Sequence, residues 1–223
     1  PASRVTTSSA AIAIKMDRFT SWNTDVNLKV NTAGTFKFEP NSATGFSEFK
    51  LTAQGLAFSS DCTGVTLGKD QDADIYTEEF YPNVKIAGPI RLFFGYLNVR
   101  GNLETTGGVD SEIRLKSQGR IYIAPSMSIK TAGGNFVVWT NRDKVAGTNL
   151  SDGTIYVESS VSVTTSGGKI WMGGGLDDGG ADASITTNRG KWSTQIAGDG
   201  LPDGYAVGYN NNDLWRVGIY VAP

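Results

Sequence analysis

The sequence predicts an all-β protein, a parallel β-helix of about nine coils wound from short strands. Three observations carry that prediction. One short run of residues is written twice. Apolar and polar residues alternate between the glycines. A Thr-x-Gly-Gly corner recurs after the same kind of strand each time.

The duplicated run spans 120–134, RIYIAPSMSIKTAGG, and 154–168, TIYVESSVSVTTSGG, offset by 34 positions. Ile121-Tyr122 matches Ile155-Tyr156, Ser126 and Ser128 match Ser160 and Ser162, and Thr131, Gly133 and Gly134 match Thr165, Gly167 and Gly168. Degenerate copies are Val30-Asn-Thr-Ala-Gly34, Leu51-Thr-Ala-Gln-Gly55, Ile86-Ala-Gly88, Leu103-Glu-Thr-Thr-Gly-Gly108 and Ile185-Thr-Thr-Asn-Arg-Gly190. Several intervals fall in the low-to-high twenties, and the longer offset exceeds them by about one polar loop, 141–153.

Alternation supplies the strands. Glu112-Ile-Arg-Leu-Lys116 puts Ile113 and Leu115 on one side and Arg114 and Lys116 on the other; Arg120-Ile-Tyr-Ile123 and Thr154-Ile-Tyr-Val157 behave alike. Side chains alternate faces along a strand, so these are half-buried β-segments. No convincing helical period is present; the best candidate, 70–80, contains β-compatible Ile-Tyr-Thr.

The corner selects among β architectures. Hairpin-linked sandwiches need no two turns alike, whereas a one-way winding repeats its corner in each coil. Glycine suits such a corner because it reaches positive φ without a Cβ clash. The expected register follows: Tyr122 under Tyr156 and facing outward, Ser126 under Ser160, Ser128 under Ser162, Val137 under Trp171. Ile121, Ile123, Ile155, Val157, Phe136, Val138, Ile170 and Met172 should form continuous inward columns. The whole chain, 1–223, reads as one domain with loop excursions near 141–153, 173–183 and 198–213.

Composition excludes several function classes. Net charge is −2 with both signs interspersed, which leaves no electrostatic footprint for nucleic acid or an anionic membrane surface. No stretch approaches the roughly 20 apolar residues of a membrane helix, so no membrane insertion is expected. The chain holds no histidine and a single cysteine, Cys62. Ser-His-Asp catalysis, histidine-based zinc sites and a histidine-activated thiol are thereby removed, and Cys62 reads as a small core residue. The chain starts at Pro1 with no basic, apolar leader, which reads as a processed chain or an excised segment.

Chemistry-bearing clusters are few. Gly173-Gly-Gly-Leu-Asp-Asp-Gly-Gly-Ala-Asp182 has oxygen ligands on a glycine-rich loop, yet it does not match the tandem calcium nonapeptide even once. The reading is a solvated loop, with no metal and no cofactor. Glu78-Glu79 and Asp177-Asp178 are paired carboxylates, but adjacent strand residues point to opposite faces and do not converge on a glycosidic bond. Arg114, Lys116 and Asp110 are the residue types of a polysaccharide lyase on a β-helix without a lyase motif. An ice-binding threonine face is interrupted by Lys130 and Glu104. Trp22, Trp139, Trp171, Trp192, Trp215, Tyr122 and Tyr156 would form a glycan platform if outward-facing; stacking along the rod or burial under loops is the competing reading.

The runs Ile113-Arg-Leu-Lys-Ser-Gln-Gly119, Ile121-Tyr-Ile123, Ser126-Met-Ser-Ile-Lys-Thr-Ala-Gly-Gly134 and Phe136-Val-Val-Trp-Thr-Asn-Arg-Asp143 resemble the repeat region of very large bacterial surface proteins: filamentous-haemagglutinin-like adhesins and the giant repeat adhesins of the Bacteroidota. Ala11-Ile-Ala-Ile-Lys-Met-Asp17, Gly34-Thr-Phe-Lys-Phe-Glu-Pro40, Gly64-Val-Thr-Leu-Gly-Lys69, Ile86-Ala-Gly-Pro-Ile-Arg-Leu-Phe-Phe-Gly-Tyr96 and Asp203-Gly-Tyr-Ala-Val-Gly208 fit the same style. The resemblance implies a right-handed winding, secretion to the cell surface, a stalk or contact role, and no catalytic residues. Such proteins often carry an Asp/Ser-rich loop after the tryptophan; here Arg142 and Lys144 place positive charge in that loop, against a calcium site.

The expected function is therefore a non-catalytic, extracellular rod-like segment of a bacterial adhesin. Surface glycans or other cells are the expected ligands, met by loop and aromatic residues Trp139, Asn141, Arg142, Asp143, Trp171, Asp177 and Asp178. The alternative is a fibre subunit whose partners are further copies or adjoining repeats stacked end to end. A carbohydrate-active enzyme is the third class.

Overall fold

Short runs of β-branched and aromatic residues, each ended by a glycine or small polar corner, dictate many brief strands and no long ones. The computed structural model describes residues 4–20, 28–42, 48–51, 56–70, 77–140, 153–175, 200–202 and 219–221. In chain order the strands are β1 (Arg4–Thr6), β2 (Ile12–Lys15), β3 (Arg18–Thr20), β4 (Leu28–Asn31), β5 (Thr35–Glu39), β6 (Glu48–Leu51), β7 (Leu56–Phe58), β8 (Gly64–Gly68), β9 (Thr77–Phe80), β10 (Val84–Ile86) and β11 (Ile90–Phe94). They continue as β12 (Tyr96–Val99), β13 (Leu103–Thr105), β14 (Ile113–Ser117), β15 (Ile121–Ile123), β16 (Ser128–Lys130), β17 (Phe136–Thr140), β18 (Ile155–Val157), β19 (Ser162–Thr164), β20 (Ile170–Gly174) and β21 (Ile219–Val221).

Every strand pairing is parallel. Successive strands go to three faces in turn, so each neighbour in a sheet is one winding away in sequence: the chain is a parallel β-helix. The first face consists of a three-stranded sheet, β1-β4-β7, and a four-stranded sheet, β10-β13-β16-β19. The second is the seven-stranded sheet β2-β5-β8-β11-β14-β17-β20, and the third is the seven-stranded sheet running from β3 to β21.

The expected register is the observed one. Tyr122 pairs with Tyr156, Ser128 with Ser162 and Val137 with Trp171. Ser126 donates its amide N–H to Ser159, and Ser126 and Ser160 share a left-handed backbone, φ 64 and 60. The bore is filled by columns. On the second face Ile12, Phe36, Val65, Ile90, Ile113 and Phe136 lie one over another, all buried; on the third, Leu97, Ile121 and Ile155 do the same. Each such side chain contributes roughly 1.5–3 kcal/mol of burial. The second-face column ends differently from the expectation: Ile170 is 51% exposed. Its strand, β20, is the last of its sheet among the described residues.

The repeated corner, from the first face to the second, has a physical division of labour. Thr131 donates its hydroxyl to the Gly134 carbonyl, Thr165 donates to Gly168 at 2.5 Å, and Thr105 donates to Ser111 at 2.6 Å. Gly133 and Gly167 follow with φ 103 and 109, a region that costs any residue with a Cβ. Gly134 has another constraint: a Cβ there would press on the Ser111 carbonyl and lie 2.7 Å from the Glu112 nitrogen, backbone of the coil below. In an earlier coil Cys62 takes the threonine's place, its thiol donating to the carbonyls of Gly34 and Gly64 at 3.4 and 3.3 Å. Leu51-Thr-Ala-Gln-Gly55 does not belong to this series. Leu51 ends β6 on the third face, so its small-residue run follows a different corner.

Extra residues enter without disturbing the register. Residues 141–152 fall between β17 and β18, and Thr140 donates its hydroxyl to the Gly153 carbonyl at 2.6 Å. The connection leaves and returns at one point. This accounts for the long offset between the two copies.

Candidate functional site

A β-helix offers function only on its outer faces and connections, because the bore is packed. Its outward side chains stand at rung spacing, ~4.8 Å apart, so like chemistry accumulates in ladders.

The third face carries a polar-aromatic ladder in which Glu79, Asn98, Tyr122 and Tyr156 succeed one another. The register continues to position 220, another tyrosine. The rings of Tyr122 and Tyr156 stack at 5.8 Å with planes 25° apart. Arg100 lies between Tyr81 and Tyr122, 5.6 and 5.7 Å from their centroids, and Arg120 is 6.0 Å from Tyr122. Glu79 accepts the Tyr81 hydroxyl at 2.7 Å and stands 3.7 Å from Arg100, while Glu158 accepts the Tyr122 hydroxyl at 3.2 Å. The phenol of Tyr122 is pushed above its ordinary value by burial and then by Glu158; that of Tyr81 is raised first by its bond to Glu79. Tyr122 therefore packs its half-buried ring against Arg100 and Tyr156, as the stacking reading expects.

The second face carries two outward ladders. Arg91 and Arg114 are adjacent like charges, and Glu112 reconciles them, accepting from Arg91 Nε at 3.1 Å and from Arg114 Nη2 at 3.0 Å. Beside them run Phe93, Lys116 and Trp139 in register. The Lys116 ammonium lies 3.8 Å from the Trp139 ring and 6.0 Å from that of Phe93, and pairs with Asp70 at 2.6 Å. This outward ladder is covered. Trp139 is 4% exposed, and Phe93 and Val137 are buried. The covering chain is identified by its bonds: Trp139 Nε1 donates to the Gly175 carbonyl at 2.7 Å, Trp171 Nε1 donates to the Pro202 carbonyl at 3.1 Å, and Gly200 lies beside the Arg114 guanidinium.

Of the expected contact residues, Trp139 and Trp171 share the outer second face, the first buried and the second half-buried. Asn141, Arg142, Asp143, Asp177 and Asp178 lie outside the described residues, as do Trp22, Trp192 and Trp215. Arg114 and Lys116 are each committed to an acid, Glu112 and Asp70 respectively, while Asp110 sits on an exposed corner between β13 and β14. The residue types of a lyase do not form one cluster. Among the described residues no group of three or more His, Cys, Asp or Glu could hold a metal ion. The Phe93–Lys116–Trp139 ladder was legible in equal sequence spacing along successive coils, a signal that alternation within one strand does not carry.

No family model, curated protein or solved structure matches the chain.

Proposed function

We propose that this chain is a non-catalytic, rod-like segment of a bacterial surface adhesin, secreted and displayed outside the cell. The observation that supports this reading is the disposition of its polar side chains. Glu79, Arg100, Glu112, Arg114, Lys116 and Glu158 pair along or across rungs, stiffening the rod, and do not converge on one reacting centre. Binding would then reside in the connections, chiefly 141–152, with many weak contacts adding through avidity. Surface glycans and neighbouring cells are the proposed ligands.

Beads coated with the chain test this. Adhesion to bacterial or host cells is expected. Replacing 141–152 by two glycines should abolish it while leaving the circular dichroism unchanged, because Thr140 and Gly153 already meet. Turnover of a polysaccharide without adhesion, lost on Arg114→Ala, would instead establish the enzyme reading.

A further inference from the structure

We propose that Tyr122 and Tyr156 form a cross-linking site, where a one-electron oxidant joins their rings into a dityrosine that staples β15 to β18. The site takes from the adhesin reading only the source of the oxidant: peroxide and a haem peroxidase met outside the cell. The two tyrosines are register partners on neighbouring rungs, and both are half-buried, so neither is closed off from an oxidant. Their ring centroids lie 5.8 Å apart with planes 25° apart. The χ2 torsion of tyrosine is broad, so the carbons ortho to the two oxygens can turn toward each other without a change of χ1 rotamer. Buried bore residues flank the pair in the same register, Ile121 with Ile155 and Ile123 with Val157. The meeting of the rings is therefore set by the coil and not by two mobile side chains.

The surroundings of Tyr122 suit oxidation. Its phenol, raised by burial and by Glu158, keeps its proton at neutral pH, and the Glu158 carboxylate at 3.2 Å can take that proton as the electron leaves. Arg100 and Arg120, 5.7 and 6.0 Å from its centroid, pin the ring. The step balances. Each phenol gives one electron to the oxidant and one proton to its surroundings. The two radicals join through their ortho carbons, and the hydrogens on those carbons move to the phenol oxygens as the rings regain aromaticity. Two hydrogens are lost in all, and one hydrogen peroxide becomes two waters. The product closes residues 122–156 into a covalent ring that contains the 141–152 connection. Thr140 and Gly153 meet at the base of that connection, so the link clamps the two coils it joins.

Tyr81 is the internal control. It too donates to a carboxylate, Glu79 at 2.7 Å, and lies beside Arg100, but among the described residues no ring stacks on it. The test treats the dilute chain with a haem peroxidase and hydrogen peroxide, then maps tryptic peptides by mass spectrometry. Tyr122 and Tyr156 fall in separate peptides, 121–130 and 145–169, each holding one tyrosine. The expected product joins these two, lighter than their sum by two hydrogens, with dityrosine fluorescence in the monomer. Tyr122→Phe and Tyr156→Phe, which keep a ring in the stack, should each lose it; Tyr81→Phe should keep it. The chain unfolded in urea should also lose it, because the link depends on coil register. No link in the folded chain, an equal yield in urea, or preferential coupling of any other pair of tyrosines would overturn the site. A chain that adheres without linking would overturn the site alone; one that links without adhering would spare it and overturn the adhesin reading.

Discussion

The corner contact at Gly134 sets how closely one coil can lie on the next, and Gly134→Ala measures it. The added methyl would press on the Ser111 carbonyl and reach within 2.7 Å of the Glu112 nitrogen. Ordinary contact needs ~3.4 Å or more, so the two corners must separate by at least about 0.7 Å. That displacement strains the bond beside the corner that joins the two coils, from Ile113 N–H to Asn135 at 2.9 Å. Losing one backbone hydrogen bond at about 1 kcal/mol, with overpacking of about 1–2 kcal/mol, gives a destabilisation of about 2–3 kcal/mol. Gly108→Ala is the control. That glycine has φ 88 but nothing within 4 Å of a new Cβ, so only the left-handed strain of about 1 kcal/mol applies. Urea titrations followed by circular dichroism and tryptophan fluorescence would read the difference in midpoint, provided the two probes coincide and the slope is unchanged. Equal midpoints for the two variants would refute the coil-spacing argument, because it assigns the cost at Gly134 to the neighbouring coil and not to the residue's own backbone.

Trp139→Ala should cost about 3–5 kcal/mol through lost burial and the bond to Gly175, whereas Lys116→Met should stay within about 1 kcal/mol, since a well-packed apolar chain replaces a buried ion pair at little net cost; denaturant midpoints check both. Ser126 sits at φ 64, so Ser126→Gly should be neutral or slightly stabilising and Ser126→Val should lose more than about 1 kcal/mol in the same titration. Burial pushes the Cys62 thiol above its ordinary value, so the folded chain keeps this proton where the unfolded chain gives it up. Its contribution to stability is full below the unfolded thiol's pKa and is lost as pH rises through the folded value; Cys62→Thr should flatten that decline in midpoints measured from neutral pH upward. The native thiol should also react with a thiol reagent only at the rate of unfolding.

The stacking register was readable because two constraints of different origin coincide in the sequence. Strand alternation fixes which residues face the bore, and the Thr-x-Gly-Gly corner fixes where each coil begins; Ile121 over Ile155 and Tyr122 over Tyr156 satisfy both. Where only one constraint operates, the reading fails. Leu51-Thr-Ala-Gln-Gly55 has the right composition but follows a third-face strand, so composition alone misassigned the corner. Cys62 fills a corner position without being threonine, because the site requires only a small side chain with a donor. Burial of Trp139 under a loop was one of the two readings open in the sequence, but which segment covers it was not legible. Its strand pattern points it outward, and the chain that covers it arrives from position 175, a contact no local pattern encodes.

The long connections share one corner of the coil. The first-to-second-face corner, 131–135 in one coil, is held by a side-chain donor, a left-handed glycine and backbone contact between coils, and the coil before it is longer between Glu104 and Ile113 than between their register partners Lys130 and Phe136. The longest connections, those joining β17 to β18 and β20 to β21, both depart from the second-to-third-face corner, which in the β14–β15 coil is held by the Ser117 hydroxyl donating to the Gly95 carbonyl and by the Gly119 N–H donating to the same carbonyl at 2.7 Å. The β8–β9 connection departs from the same corner and sends Asp70 to Lys116, just as Gly175 and Pro202 reach Trp139 and Trp171. Two connections therefore reach one flank and cover the ladder beneath them. The first face carries the Lys85–Glu104 pair at 2.7 Å and, further along, the Ser128–Ser162 register pair. A rod whose long connections leave from one corner can carry them without altering its coil register, as Tyr122 over Tyr156 shows across the 141–152 connection.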